Sequence, residues 1–279
     1  MIPAPFEYER AESVDHAVSL LGQNEDAKLL AGGHSLLPLM KLRLARPSML
    51  VDIGRLGELS YIREDGENVA IGALTRHHDV ATSDVLARHC PIVSFTAGQI
   101  GDPQVRHMGT IGGSVAHGDP ASDMPTVLLA LEAEFMVQGP EGSRTAEAGS
   151  FFTGFFETAL SPNEVLTEIR VPKLDGAGWS YQKFHRRAQD WALVGVAAVL
   201  QRSNGGVSGA SVALTNMGET PLRAGEVEAA LSSGADPAAA SQRASEGTSP
   251  PSDPFGSAEY RRELAKVLTR RAVEEALGR

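Results

Sequence analysis

Leu30-Ala31-Gly32-Gly33-His34-Ser35-Leu36 is the stretch on which the reading of this chain turns. Lys28 to Ala31 has strand character, and a glycine pair interrupts it at once. Glycine accepts positive φ and lets another group come close to the main chain. Successive N–H groups in such a turn form a concave site for an anion. Gly109-Thr110-Ile111-Gly112-Gly113-Ser114 repeats the arrangement. In both stretches paired glycines adjoin hydroxyl groups, so Ser35, Thr110 and Ser114 can add donors. Two such turns can hold the two phosphates of a dinucleotide without any lysine. A glycine pair taken alone is more often a tight turn at a strand end, and two pairs flanked by hydroxyls weaken that reading. Neither G-x-x-x-x-G-K-[ST] nor a G-x-G-x-x-G opening a helix is present, so the residues themselves point to a phosphate cradle and no further.

Working outward, Ser13 is positioned to cap a helix whose apolar stripe is Val14, Ala17, Val18 and Leu21, ended by Gly22. Met49 to Ile53 and Asn68 to Ile71 read as strands. Thr75 or Ser83 caps short helical pieces through Ala87, and Pro91 starts another that reaches Ile100. Gly101 to Asp123 reads as loop-rich, Pro125 opens a helix through Leu131, and Glu134 to Val137 and Glu164 to Val171 read as strands. After Pro172 the pattern changes. Ser180 to Arg187, Ala192 to Gln201 and Val207 to Leu214 are strand-length runs, with a turn signal at Asn204-Gly205-Gly206, which predicts an antiparallel meander. Ser232 to Gly256 reads as an extended loop before a last helix carrying Tyr260, Leu264, Val267, Leu268 and Ala272. These shifts predict two domains, 1–174 (subdivided near 55) and 175–279, in an α+β fold.

The bulk numbers exclude several roles. Of 279 residues, 42% are hydrophobic and 22% charged, with a net charge of -10, so the phosphates of a nucleic acid are repelled. One cysteine, Cys90, rules out an internal disulfide framework and a cysteine-held iron–sulfur cluster in this chain. It reads as a small buried hydrophobe beside Pro91. Neither a signal peptide nor a run of ~20 apolar residues is visible. The expectation is a cytoplasmic protein with no transmembrane segment. His77-His78-Asp79 is rejected as a metal site, because adjacent helical histidines diverge and a third ligand is lacking; no metal ligands are expected.

Ala31-Gly32-Gly33-His34-Ser35-Leu36-Leu37-Pro38-Leu39-Met40-Lys41, then Thr110-Ile111-Gly112-Gly113-Ser114, Asp119-Pro120-Ala121-Ser122-Asp123, and Lys183-Phe184-His185-Arg186-Arg187 with Asp190-Trp191-Ala192 together resemble the FAD-binding medium subunits of molybdenum hydroxylases, the carbon monoxide dehydrogenase and xanthine dehydrogenase family. The resemblance covers essentially the whole chain. It implies the two-subdomain flavin fold of the vanillyl-alcohol oxidase and p-cresol methylhydroxylase (VAO/PCMH) type, followed by a three-stranded antiparallel sheet with helices. It implies FAD on this chain, with [2Fe-2S] clusters on a small subunit and the molybdopterin cofactor on a large one, in a dimer of heterotrimers. The chain's role would be to take electrons from the clusters and pass them to a quinone, NAD or oxygen. The alternative is a standalone flavin oxidase or dehydrogenase of the wider superfamily, for which a C-terminal module of roughly 100 residues is small. A third alternative is a scaffold subunit without cofactor.

The resemblance also assigns residues. Ala31, Gly32, Gly33, His34, Ser35 and Leu36 would offer main-chain N–H groups to the diphosphate, and Thr110, Ile111, Gly112, Gly113 and Ser114 would do so from the other side. His34 would bond a phosphate or hold the loop's shape. Ser114 stands where the family commonly has Asn, which places one side-chain hydrogen bond in doubt. Asp123 would accept from a ribose or ring hydroxyl, with Ser122 beside it; equally, it could cap the helix begun by Pro125. Ile100 and Leu166 would approach the isoalloxazine ring or be ordinary core. Lys183 would bring a positive charge toward the ring, with Gln182, one position earlier, as the other candidate for that place. Trp191 would shield the flavin or pack in a core, and His117 would line the site while organising the loop with Asp119. A catalytic nucleophile set is absent and unneeded, since the chemistry of such a site belongs to the cofactor.

Overall fold

A computed structural model of the chain describes residues 2–203 and 206–279, so the turn expected at Asn204-Gly205 lies outside the described residues. Three larger sheets and a two-stranded ribbon, Phe152–Gly154 with Glu157–Thr158, organise the described residues. In the first, Met49–Asp52 lies between Glu7–Arg10 and Ala27–Leu30, all parallel. The helix Val14–Gln23 packs on it through Ala17, Val18 and Leu21, and Ser13 caps it by accepting from the His16 N–H at 3.0 Å. Glu7–Arg10 escapes sequence reading because all four of its residues are exposed and carry no alternation.

The second sheet has five strands in the order Ile62–Asp65, Asn68–Gly72, Val165–Pro172, Glu134–Gly139, Gly142–Glu147, every pair antiparallel. Its helices include Pro91–Gly98 and Asp123–Ala130. Ser83 caps Asp84–His89 as expected. Thr75 does not cap a helix; its hydroxyl donates to the Tyr61 carbonyl at 2.9 Å, and Arg76 precedes His77–Ala81. The stretch from Gly101 to Asp123 is a correction to the loop reading. It holds two short helices, Pro103–Met108 capped by Asp102 and Ile111–His117 capped by Thr110. Their glycines and proline suggested loop, but Pro at the first turn and a capping side chain start a helix well.

The third sheet contains the three predicted strands, Gly178–Phe184, Val194–Ser203 and Gly206–Thr215, joined by a two-residue fourth, Leu222–Arg223, all antiparallel. Its central strand is apolar on both faces. Ala197 and Val199 join the core of the second sheet, while Val194, Val196, Ala198 and Leu200 pack in a separate core with the helix Ala258–Gly278. A strand covered on both sides reads as a continuous apolar run, and this one fastens the C-terminal module against Asp123–Ala130. The loop expected from Ser232 to Gly256 instead contains the helix Pro237–Ser241, capped by Asp236, and a 3-10 turn Gln242–Ser245. Small alanines fit these short turns against the last helix, so composition alone misleads there.

Candidate functional site

A cavity of about 720 Å³ opens where the three sheets converge. That volume suits a cofactor-sized ligand. The two glycine turns meet at its wall. A Cβ on Gly32 would stand 2.1 Å from the Met108 carbonyl oxygen and 2.8 Å from Gly109 Cα, so glycine is required for the approach. Gly33 has a φ of +71°, the left-handed conformation glycine adopts freely.

The turns differ in what they offer. Among the described residues, the N–H groups of Gly32, Gly33, His34 and Ser35 donate to nothing in the chain. His34 Nδ1 lies 3.0 Å from the Gly32 carbonyl and so holds the loop's shape, and the Ser35 hydroxyl makes no capping bond. The result is an open row of main-chain donors on residues that line the cavity. In the second turn the Ile111 N–H donates to Thr75 O at 3.0 Å, Gly112 to Ala73 O at 2.9 Å, Gly113 to the Thr110 hydroxyl at 3.1 Å and Ser114 to Thr110 O at 3.1 Å. The main-chain donation expected from Ile111 to Ser114 is therefore corrected: those groups close a helix start. Ile111 is fully buried and does not line the cavity, whereas Thr110, Gly112, Gly113 and Ser114 do.

At the far end stands a buried polar cluster. Lys183 Nζ donates to Asp123 Oδ2 at 2.8 Å and to the Gln99 carbonyl at 3.1 Å, and the Tyr181 hydroxyl donates to Asp123 Oδ1 at 2.6 Å. Burial pushes the Asp123 carboxyl above the ordinary carboxylate range, against the pull of Lys183 and Tyr181. Asp123 does not cap its helix; its side chain is turned to the C-terminal sheet. The positive charge of Lys183 is accompanied by a carboxylate 2.8 Å away. Of the two candidates at this position Lys183 lines the cavity, while Gln182 donates to Glu275 on the last helix at 2.6 Å.

Ile100, Leu166, Ser122, His117 and Trp191 also line the cavity. Leu166 belongs to the core as well, and His117 rests on Phe156 with ring centroids 4.9 Å apart. Burial lowers the His117 pKa and raises that of Asp119, which accepts from the Ala121 N–H at 2.9 Å and shapes the loop. Trp191 is 64% exposed at the rim, so it is not core. Sequence reading missed Phe156, which holds a left-handed φ of 59° in the wall, and it weighed His77 only as a metal ligand. His77 is buried in the wall, its Nδ1 unpartnered among the described residues, and burial lowers its pKa to about 4. Neither residue carries a local signal; the fold brings each of them there.

Residues 4–174 match the family described as "FAD binding domain in molybdopterin dehydrogenase". The chain belongs to this family. Residues 179–276 match the "CO dehydrogenase flavoprotein C-terminal domain". The carbon monoxide dehydrogenase medium chain of Afipia carboxidovorans is 47% identical over 287 residues, covering 100% of this chain and 99% of that one. The glyceraldehyde dehydrogenase medium chain of Sulfolobus acidocaldarius is 42% identical over 280 residues, covering 99% of each. Among solved structures, carbon monoxide dehydrogenase from Hydrogenophaga pseudoflava superposes with a TM-score of 0.97 at 47% identity, over 100% of this chain and 99% of that one. As a member of the family this chain is an oxidoreductase subunit with an FAD-binding domain, and the cavity fits that group. It provides free amides at one end, a glycine-lined approach between the turns, and an apolar wall with a compensated polar pair at the other. No helix among the described residues is long and apolar enough to cross a membrane.

Proposed function

We propose that this chain is the electron-relaying medium subunit of a heterotrimeric molybdenum hydroxylase, holding FAD in the cavity between the glycine turns and the Lys183–Asp123 pair. Its partners in this reading are a small subunit with two [2Fe-2S] clusters and a large molybdopterin subunit, in a dimer of heterotrimers. The external acceptor is a quinone, NAD or oxygen. We place the assembly in the cytoplasm, a reading supported by the free Cys90. The domain division is 1–174, with a step near 55, and 175–279; the separate core around the last helix supports it.

The observation that carries the reading is the row of unengaged N–H groups from Gly32 to Ser35 on the cavity wall. They would hold the diphosphate, and the Ser35 hydroxyl would add a donor. Ile100 and Leu166 would exclude water from the ring end, Asp123 and Ser122 would orient the ribityl or ring oxygens, and Trp191 would cover the rim. When bound, FAD supplies the conversion between single electrons and pairs. The chain's residues bind, orient and shield. Relatives at 47% and 42% identity are named for different substrates, so the substrate is assigned to the large subunit, not to this chain.

The test is to purify the chain with its neighbours in the genome, denature it, and identify the released chromophore. One FAD per chain is the expected result. A colourless protein that fails to take up added FAD sinks the proposal. Substrate-driven flavin reduction by the chain alone would point instead to a standalone oxidase.

A further inference from the structure

Two segments border the ring end of the cavity. Gln189, Asp190 and Trp191 form one edge, continuing through Ala192 and Leu193 into the strand Val194–Ser203. The other edge runs through Pro120 to Ser122 and Asp123. Among the described residues, one outside the cavity lining, Asn216, hydrogen-bonds to both. Asn216 follows the strand Gly206–Thr215 and has a φ of 60°. Its main-chain N–H donates to the Pro120 carbonyl at 2.8 Å. Its Nδ2 donates to the Ala192 carbonyl at 3.0 Å and to the Leu193 carbonyl at 3.3 Å. The Leu193 carbonyl is held from the other side by the buried Arg261 at 2.6 Å.

Left-handed backbone is costly for most residues, and asparagine is among the few that adopt it at modest cost. The conformation sends the main-chain donor toward one segment and the amide toward the other. Aspartate has no N–H to give the two carbonyls, glycine has no side chain, and a larger residue would be strained. These requirements together select asparagine.

We propose that Asn216 is a positioning residue that clasps the Trp191 edge to the Ser122–Asp123 edge, fixing the gap that FAD occupies. The C-terminal module thereby sets the geometry of a site whose phosphate end belongs wholly to the N-terminal domain. This rests on the proposed FAD-binding reading. Asn216 touches neither the cavity nor its ligand, so its influence passes through the two segments it holds.

The test uses the full chain carrying Trp179→Tyr, which leaves Trp191 as the single tryptophan, and takes FAD as the probe. Asn216→Gly keeps the left-handed turn and the bond to Pro120 but removes the amide. Asn216→Asp keeps the size and turns an oxygen toward two carbonyls. Three quantities are read: the FAD dissociation constant, the quenching of Trp191 emission on binding, and the thermal midpoint without FAD. Both variants are expected to bind FAD roughly tenfold more weakly, because a loosened gap must be ordered again on binding. Trp191 quenching should fall, and the glycine variant should melt no more than about 5 °C below the parent. Unchanged affinity and quenching overturn the clasp. So does an affinity loss that merely follows a lowered midpoint while the Trp191 signal stays constant, since that describes a residue supporting the fold alone. Failure of the parent to bind FAD overturns the flavin reading itself, and this inference with it. A parent that binds beside variants that match it overturns only the role of Asn216.

Discussion

Gly32-Gly33 and Gly112-Gly113 look alike in sequence and do opposite work. Around the first pair four consecutive N–H groups have no partner among the described residues, and their residues line a cavity wall. Around the second every N–H from Ile111 to Ser114 is taken up within the chain, and the glycines are there because neighbours leave no room. A Cβ on Gly112 would stand 2.5 Å from the Ala73 Cβ, and one on Gly113 would stand 2.8 Å from the Thr110 hydroxyl oxygen. One pair opens main chain to a ligand; the other closes main chain onto itself. A glycine pair thus reports a close approach and says nothing about what approaches.

The contrast makes ordered predictions. Gly32→Ala should have the largest effect, because its methyl meets the Met108 carbonyl head-on and pushes the turns apart. The expected result is loss of bound flavin by about two orders of magnitude or more, several kcal/mol of affinity, read as flavin absorbance per chain; retention of full flavin content would erase the distinction between the turns. Next comes the packed end. Lys183→Met leaves the Asp123 carboxylate buried without its cation and should cost about 3–5 kcal/mol in urea unfolding, and adding Asp123→Asn should recover much of it. An additive double mutant would show that the pair is not coupled.

His77 provides a pH test of the wall beneath the second turn, where a Gly109 Cβ would stand 3.1 Å from its ring. Its folded pKa of about 4 lies below the ordinary 6.5. The unfolded chain therefore binds a proton that the folded chain refuses between those values. Stability from this group is complete above pH 6.5 and falls as pH drops toward 4, by about 3 kcal/mol in all. His77→Leu should flatten that part of the urea-midpoint profile, and an unaltered profile would assign the acid sensitivity elsewhere. The smallest effect is expected from Thr110→Val, which removes the cap on Gly113. About 1 kcal/mol of stability should go, with FAD affinity unchanged within about twofold. A clear rise in affinity would mean the freed Gly113 N–H is a phosphate donor after all.

Much of the frame was legible. The stripe Val14, Ala17, Val18, Leu21 and the runs at Asn68 and Ala192 declare their elements through periodicity, and the combined motifs declare the family. The polar cluster was legible only through that resemblance, because Asp123 and Tyr181 are 58 positions apart and Asp123 and Lys183 are 60 apart. What it does was not legible, since a lysine in a strand does not announce the carboxylate that will neutralise it. Asn216 left no trace at all: its role needs a left-handed turn and three carbonyls contributed by two distant segments. The short helices near Pro103 and Pro237 were hidden because glycine, alanine and proline are counted as loop formers, while the caps at Asp102 and Asp236 determine the outcome locally.

Cys90 lies at zero exposure in the central core, and burial pushes its thiol up to about 12. At neutral pH it is a protonated sulfur that a maleimide in solution cannot meet. A folded population should thus stay unlabelled, and each labelled molecule records one occasion on which that core came apart. The chain carries its own single-event counter of opening around that core, readable by mass without adding a probe.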